Sequence, residues 1–101
     1  MAGFLAADAY SKVLQFAPNI AEVHLNKGVV LSAAGRDSEA LQCFDKAIEL
    51  KPSLPGAHCN RGNIYKSSGR PKDAAKAYQE AVKLDPGMQT AWSAFLLLPI
   101  L

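Results

Sequence analysis

Between residues 37 and 50 the apolar side chains fall at Ala40, Leu41, Phe44, Ala47, Ile48 and Leu50. Spacings of three and four put them along one stripe of an amphipathic helix. Pro52 follows where a helix cannot continue. Upstream, residues 21–34 set Val23, Leu25, Val30 and Leu31 among polar positions, and Gly35 closes the run as a left-handed stop residue would. The pattern predicts two helices joined by a tight turn. It then returns, with Pro55 and Pro71 in helix first turns, where a missing N–H costs little. Gly28 and Gly62 fall mid-helix, where glycine costs about 1 kcal/mol relative to alanine. With Ala40, Ala47, Ala74 and Ala81 as the small positions of the partner helices, the expected compensation is a close helix crossing.

The return has a fixed period. Pro18, Pro52 and Pro86 are 34 residues apart, as are Ala6, Ala40 and Ala74, Tyr10, Phe44 and Tyr78, and His24, His58 and Trp92. Residues 21–54 laid on 55–88 agree at 9 of 34 positions, and Phe44 against Tyr78 is among the close swaps. A repeat that keeps aromatic, small and proline positions in phase is one supersecondary unit stacked on its neighbours.

These positions resemble the tetratricopeptide repeat family, whose 34-residue unit follows a W-L-G-Y-A-F-A-P pattern. Residues 55–88 match it at His58, Gly62, Tyr65, Ala74, Tyr78, Ala81 and Pro86. Residues 21–54 match at His24, Gly28, Ala40, Phe44, Ala47 and Pro52, with Leu31 in place of the tyrosine. Both units depart at the leucine position, which holds Lys27 and Arg61. The resemblance implies an all-α fold: five helices and a terminal stub, stacked as antiparallel pairs into a right-handed superhelical solenoid segment. In that register residues 1–101 form one array. Residues 1–20 supply a second helix only, 21–54 and 55–88 are full repeats, and 89–101 begin a first helix. Neither end reads as a polar cap, which suggests a piece of a longer array or ends covered by self-association.

Composition narrows the function. Half of the 101 residues are hydrophobic and 20% are charged, which excludes a disordered tail. A net charge of +2 is too small to argue for nucleic acid. The local basic run of Arg61, Lys66, Arg70, Lys72 and Lys76 reads as a solvated helix face, since nearby Tyr65 and Tyr78 have core roles. Nothing approaches the roughly 18 consecutive apolar residues of a membrane span, and the N-terminus lacks the basic start of a signal peptide. Two cysteines make no disulfide framework, so a reducing compartment is expected: the cytoplasm, with the nucleus as the alternative.

No catalytic arrangement emerges. His24 and His58 occupy equivalent packing positions, and Cys43 and Cys59 stand 16 residues apart on different helices, at no zinc or redox spacing. Gly35-Arg36 and Gly69-Arg70 are interhelix turns, without the lysine and hydroxyl of a phosphate loop. The chain is expected to be a non-enzyme with no cofactor and no metal.

The family resemblance implies instead a concave face lined by the first helix of each repeat. Carried over, its positions are Glu22, Leu25, Asn26, Val29, Ser32 and Ala33, then Gly56, Cys59, Asn60, Asn63, Lys66 and Ser67. Asn26, Asn60 and Asn63 would bond a ligand backbone, since a carboxamide both donates and accepts. Leu25, Val29 and Cys59 would give apolar contact, and Lys66 would favour an acidic residue or a terminal carboxylate. The repeated asparagine at Asn26 and Asn60 is similar to the asparagine ladder in the repeat arm of O-linked N-acetylglucosamine transferase. The bland alternative is a local side-chain bond. The carboxylate clamp of co-chaperone repeats is mostly missing: Leu25 and Val29, or Gly56 and Asn60, stand where its basic and amide residues belong. The expected function is a protein-interaction scaffold or adaptor binding an extended peptide or a partner helix. The alternatives are a substrate-selecting arm of a glycosyltransferase-like enzyme, or an oligomerisation or co-chaperone scaffold, with self-association through Trp92 and the C-terminal LLLPIL.

Overall fold

The computed structural model describes residues 2–98, which hold six helices and no strand. They are α1 (Ala2–Phe16), α2 (Ala21–Ala33), α3 (Asp37–Leu50), α4 (Pro55–Ser67), α5 (Pro71–Leu84) and α6 (Gln89–Leu96). The segment expected as a stub is α6, an eight-residue helix. Residues 99–101, and with them the last part of the apolar run LLLPIL, lie outside the described residues. The chain divides into two compact units, Met1–Pro52 with α1 to α3 and Ser53–Leu101 with α4 to α6.

In the first unit α2 packs on both α1 and α3. The turn between α2 and α3 turns on Gly35, whose φ of +79° lies in the left-handed region where a side chain is strained. Gly35 N–H donates to the Ser32 carbonyl at 3.0 Å and Arg36 N–H to the Leu31 carbonyl at 2.9 Å. This pair of bonds satisfies the last carbonyls of α2 in the manner of a Schellman cap. The expected stripe of α3 faces inward: Ala40, Phe44 and Ala47 are fully buried, and Cys43 lies beside them. The close crossing expected at Gly28 is real, but its partner is an aromatic ring and not an alanine. A Cβ on Gly28 would stand 2.6 Å from Phe44 Cε1. Burying a phenylalanine contributes about 1.5–3 kcal/mol, which offsets the roughly 1 kcal/mol helix penalty of the glycine that admits it.

The second unit repeats these devices. Here α5 packs against α4 and α6, and α4 also touches α6. Gly69 has a φ of +74°, with Gly69 N–H on the Lys66 carbonyl and Arg70 N–H on the Tyr65 carbonyl. Pro55 and Pro71 open their helices as expected. A Cβ on Gly62 would stand 2.7 Å from Tyr78 Cε1. Tyr78, Ala74, Ala81, Ala91 and Cys59 form the buried cluster, with Tyr65, Val82, Met88 and Phe95 packed around it.

One further device ties the first aromatic position to the proline before it at His24 and at Trp92. His24 Nε2 donates to the Pro18 carbonyl at 2.8 Å, and Trp92 Nε1 donates to the Pro86 carbonyl at 2.9 Å, in both cases across six residues. Histidine at the tryptophan position keeps the ring N–H that this contact requires.

Candidate functional site

Because α2 and α4 each bury one side against their partners, the opposite side of each is left to solvent, and the candidate residues sort by which side they take. On α2, Asn26 is exposed and, among the described residues, its carboxamide makes no hydrogen bond. Val29 is 42% exposed and Leu25 is half-buried. Glu22, at the start of the same helix, pairs with Lys51 Nζ at 3.2 Å. Its carboxyl is held below the usual range, first by a backbone hydrogen bond and then by Lys51.

On α4 the placement is more selective. Asn63 and Lys66 are exposed one turn apart, and among the described residues Lys66 enters no ion pair. Asn60 is half-buried, and its Nδ2 donates to the Gly56 carbonyl at 2.8 Å. The local side-chain bond weighed as the bland reading is therefore present at Asn60 and absent at Asn26. Cys59 corrects the sequence reading. It is 5% exposed and sits in the cluster with Ala74, Tyr78, Ala81 and Ala91, so its sulfur contributes to the core and not to ligand contact. The reason is that α6 packs against α4 and α5 and closes over that position. Burial pushes the thiols of Cys43 and Cys59 up, away from the reactive thiolate.

Two features were not visible in the pattern. Tyr78, read only as a core aromatic, donates its hydroxyl proton to Asn63 Oδ1 at 2.6 Å. Its ring is fully buried, and desolvation pushes the phenol up to about 12. A signal was available in the repeat alignment: tyrosine and asparagine occupy the positions held by Phe44 and Val29 one period earlier. The second feature is an opening of about 700 Å³ between α5 and α6, lined by Val82, Trp92 and Phe95 and by the stems of Lys76, Glu80 and Lys83. Of the basic run, Arg70 is tied down: its guanidinium lies 4.7 Å from the Tyr65 ring centroid and contacts Asp73 at 2.7 Å. Arg61 lies 5.9 Å from the same ring.

Among the described residues, no three His, Cys, Asp or Glu side chains gather in a metal-binding arrangement, and no helix is long and apolar enough to cross a membrane. The exposed side of α2 offers an uncharged amide beside apolar area, and that of α4 offers an amide and the Lys66 ammonium.

Comparison with known proteins identifies the repeat. A family model described as "Tetratricopeptide repeat" matches residues 55–88, and a second, described as "TPR repeat", matches residues 31–69. A search of curated proteins gives no match. Solved structures share the fold. The first TPR of Spaghetti (RPAP3), bound to the HSP90 peptide SRMEEVD, has a TM-score of 0.86 and 20% identity over 89% of this chain and 71% of its own. YrrB, a TPR protein with an unusual peptide-binding site, has a TM-score of 0.88 and 24% identity over 94% of this chain and 49% of its own. A mutant O-GlcNAc transferase of Thermobaculum terrenum has a TM-score of 0.83 and 27% identity over 88% of this chain, which spans only 17% of that protein. The two family matches together run from residue 31 to residue 88, through the Gly62–Tyr78 crossing and both Schellman turns. The chain is a tetratricopeptide repeat protein.

Proposed function

We propose that this chain is a protein-interaction module that binds an extended peptide or a partner helix, with the exposed side of α2 as the contact in the first unit and that of α4 in the second. The carrying observation is that hydrogen-bond-competent side chains stand exposed on these helices while Ala21, Gly28, Ala57 and Gly62 are committed to packing. Asn26, Asn60 and Asn63 bond the ligand backbone, Leu25 and Val29 give apolar contact, and Lys66 selects an acidic group. Similar domains support the reading, since one was solved with a bound HSP90 peptide and another is described by its peptide-binding site. The proposal includes no catalytic residue, cofactor, nucleic acid or membrane, and sets the chain in the cytoplasm or nucleus. Asn26→Ala with Asn60→Ala should weaken partner capture severalfold without lowering helicity. Unchanged capture would remove the asparagines from the mechanism.

Two other readings each have an observation behind them. The likeness to an O-GlcNAc transferase favours a substrate-selecting arm of a glycosyltransferase-like enzyme. A longer downstream reading frame in the encoding transcript would carry the catalytic part, and its absence would exclude this reading. Leu96 and Leu97, 73% and 80% exposed beside a 41% exposed Trp92, favour self-association. Light scattering should then show an oligomer that becomes monomeric when residues 93–101 are deleted, and an oligomer surviving the deletion would refute it.

A further inference from the structure

We propose that Tyr78 is a positioning residue that turns Asn63 into a hydrogen-bond donor, so that Asn63 and Lys66 together select a carboxylate on the ligand. The inference deepens the reading of α4 as a peptide-contacting helix and rests on it. A carboxamide presents an acceptor on one side and two N–H donors on the other, and an unrestrained asparagine offers a ligand whichever the ligand needs. Asn63 is restrained. The Tyr78 hydroxyl, carried on a ring with no exposure of its own, occupies Oδ1 at 2.6 Å. The buried phenol must place its proton on an acceptor, and Oδ1 receives it. The Nδ2 side of this exposed residue is then the side offered to a ligand.

Lys66 lies one turn further along α4, exposed, and has donors only. A carboxylate has acceptors only, so two adjacent donor groups match it, and a charged acceptor strengthens both bonds. Asn60 is engaged differently. Its Nδ2 gives one N–H to the Gly56 carbonyl of its own helix. Along the exposed side of α4, Asn63 therefore offers donors and Lys66 a cation.

The first repeat acts as an internal control. At the positions equivalent to Asn63 and Tyr78 it has Val29 and Phe44, so the hydroxyl is missing in the repeat that has no amide to orient. Packing alone does not ask for the hydroxyl, since Phe44 fills its position fully buried against Gly28 just as Tyr78 does against Gly62. The raised phenol pKa, about 12, keeps the donor protonated throughout the neutral range.

The test follows the Asn63 side-chain NH₂ signals of ¹⁵N-labelled full-length chain during titration with three small blocked probes. N-acetyl-glutamate N-methylamide carries a side-chain carboxylate, N-acetyl-alanine a terminal carboxylate, and N-acetyl-glutamine N-methylamide is the neutral control. In the wild type the carboxylate probes should shift the Asn63 NH₂ signals at about tenfold lower concentration than the neutral control. The stronger of the two identifies the carboxylate source. Tyr78→Phe, which Phe44 shows to be sterically acceptable, should keep its helicity and bring the three probes to within about twofold. Asn63→Asp, which replaces the donors with a carboxylate, should abolish the preference measured at the Lys66 ammonium. An Asn63 signal indifferent to carboxylates, or a Tyr78→Phe variant with undiminished preference, would overturn the inference. Peptide capture lost in the double asparagine variant alongside such a result would leave the binding reading standing and remove only the role of Tyr78. A carboxylate response in a chain that captures no peptide would do the reverse.

Discussion

Replacing Gly62 with alanine tests the central packing idea most directly. Helix propensity alone favours the change by about 1 kcal/mol, because alanine restricts the unfolded chain and suits a helix interior. The structure opposes it. A Cβ at this position meets Tyr78 Cε1 at 2.7 Å, Cδ1 at 2.9 Å and Cζ at 3.1 Å. The ring is fully buried, so it has no solvent side to retreat to, and α4 and α5 must separate or the ring must leave its rotamer. Overpacking of this kind costs about 1–3 kcal/mol. Set against the gain of about 1 kcal/mol, this leaves a net loss of up to about 2 kcal/mol, which for a domain of this size lowers Tm by up to roughly 15 °C. Thermal and urea melts followed by helical circular dichroism would measure it. A Tyr78→Leu partner mutation, which removes the ring, should make the alanine cheaper than in the wild-type background, so that the two changes are less than additive. If Gly62→Ala instead raises Tm, propensity outweighs packing, and the account of glycine facing an aromatic ring is wrong in both units.

Three other outcomes follow from the same structure. Gly35→Ala and Gly69→Ala place a side chain at positive φ with open space around it, so each should cost about 1–2 kcal/mol from backbone strain alone, measured by urea melts, and asparagine should cost less than alanine. His24→Phe removes the N–H held by the Pro18 carbonyl and should cost about 1 kcal/mol, whereas His24→Trp, which keeps a ring donor as Trp92 does, should cost less; equal melts for the two would rule the contact out as a contributor. Cys43, Cys59 and Tyr78 all have raised pKa values in the folded chain, so the folded state holds these protons more tightly than the unfolded one. That contribution is complete below the ordinary thiol value of about 9 and is lost as pH climbs towards 12, so Tm should fall across the alkaline range, and a level Tm to pH 11 would contradict the burial of these groups.

The two units expose different chemistry. On α2 an exposed, unengaged Asn26 stands near an exposed Val29, a surface that suits a peptide backbone with an apolar side chain. On α4 the asparagines are both oriented, one by its own helix and one by the neighbouring helix, and Lys66 adds charge. The exposed amide of the second unit thus has a fixed polarity. Orientation by buried neighbours lowers the ordering cost of binding, which is one way a small exposed surface gains selectivity.

Much of the fold was legible before any coordinates. The 34-residue period, the stop glycines at 35 and 69, and the prolines at 55 and 71 located the helix ends to within a residue or two, because turn chemistry is local and a left-handed residue or a missing N–H acts on its own segment. The apolar stripe of α3 was equally local, since helical spacing puts Ala40, Phe44 and Ala47 on one side whatever lies opposite. The candidate site was legible only as a set of positions. Periodicity places Cys59 on the same face as Asn60 and Asn63, yet packing of α6 buries the thiol. The 34-residue period likewise treats Asn26 and Asn60 as equivalents, although one is unengaged and the other bonds Gly56. The hydroxyl of Tyr78 reaches Asn63 across 15 residues of chain, through a contact that exists only once α5 lies against α4. Local sequence determines which residues are helical and which side of a helix is apolar. Which exposed atom of an amide faces a ligand depends on neighbours brought together from distant parts of the chain, and that was decided by tertiary packing.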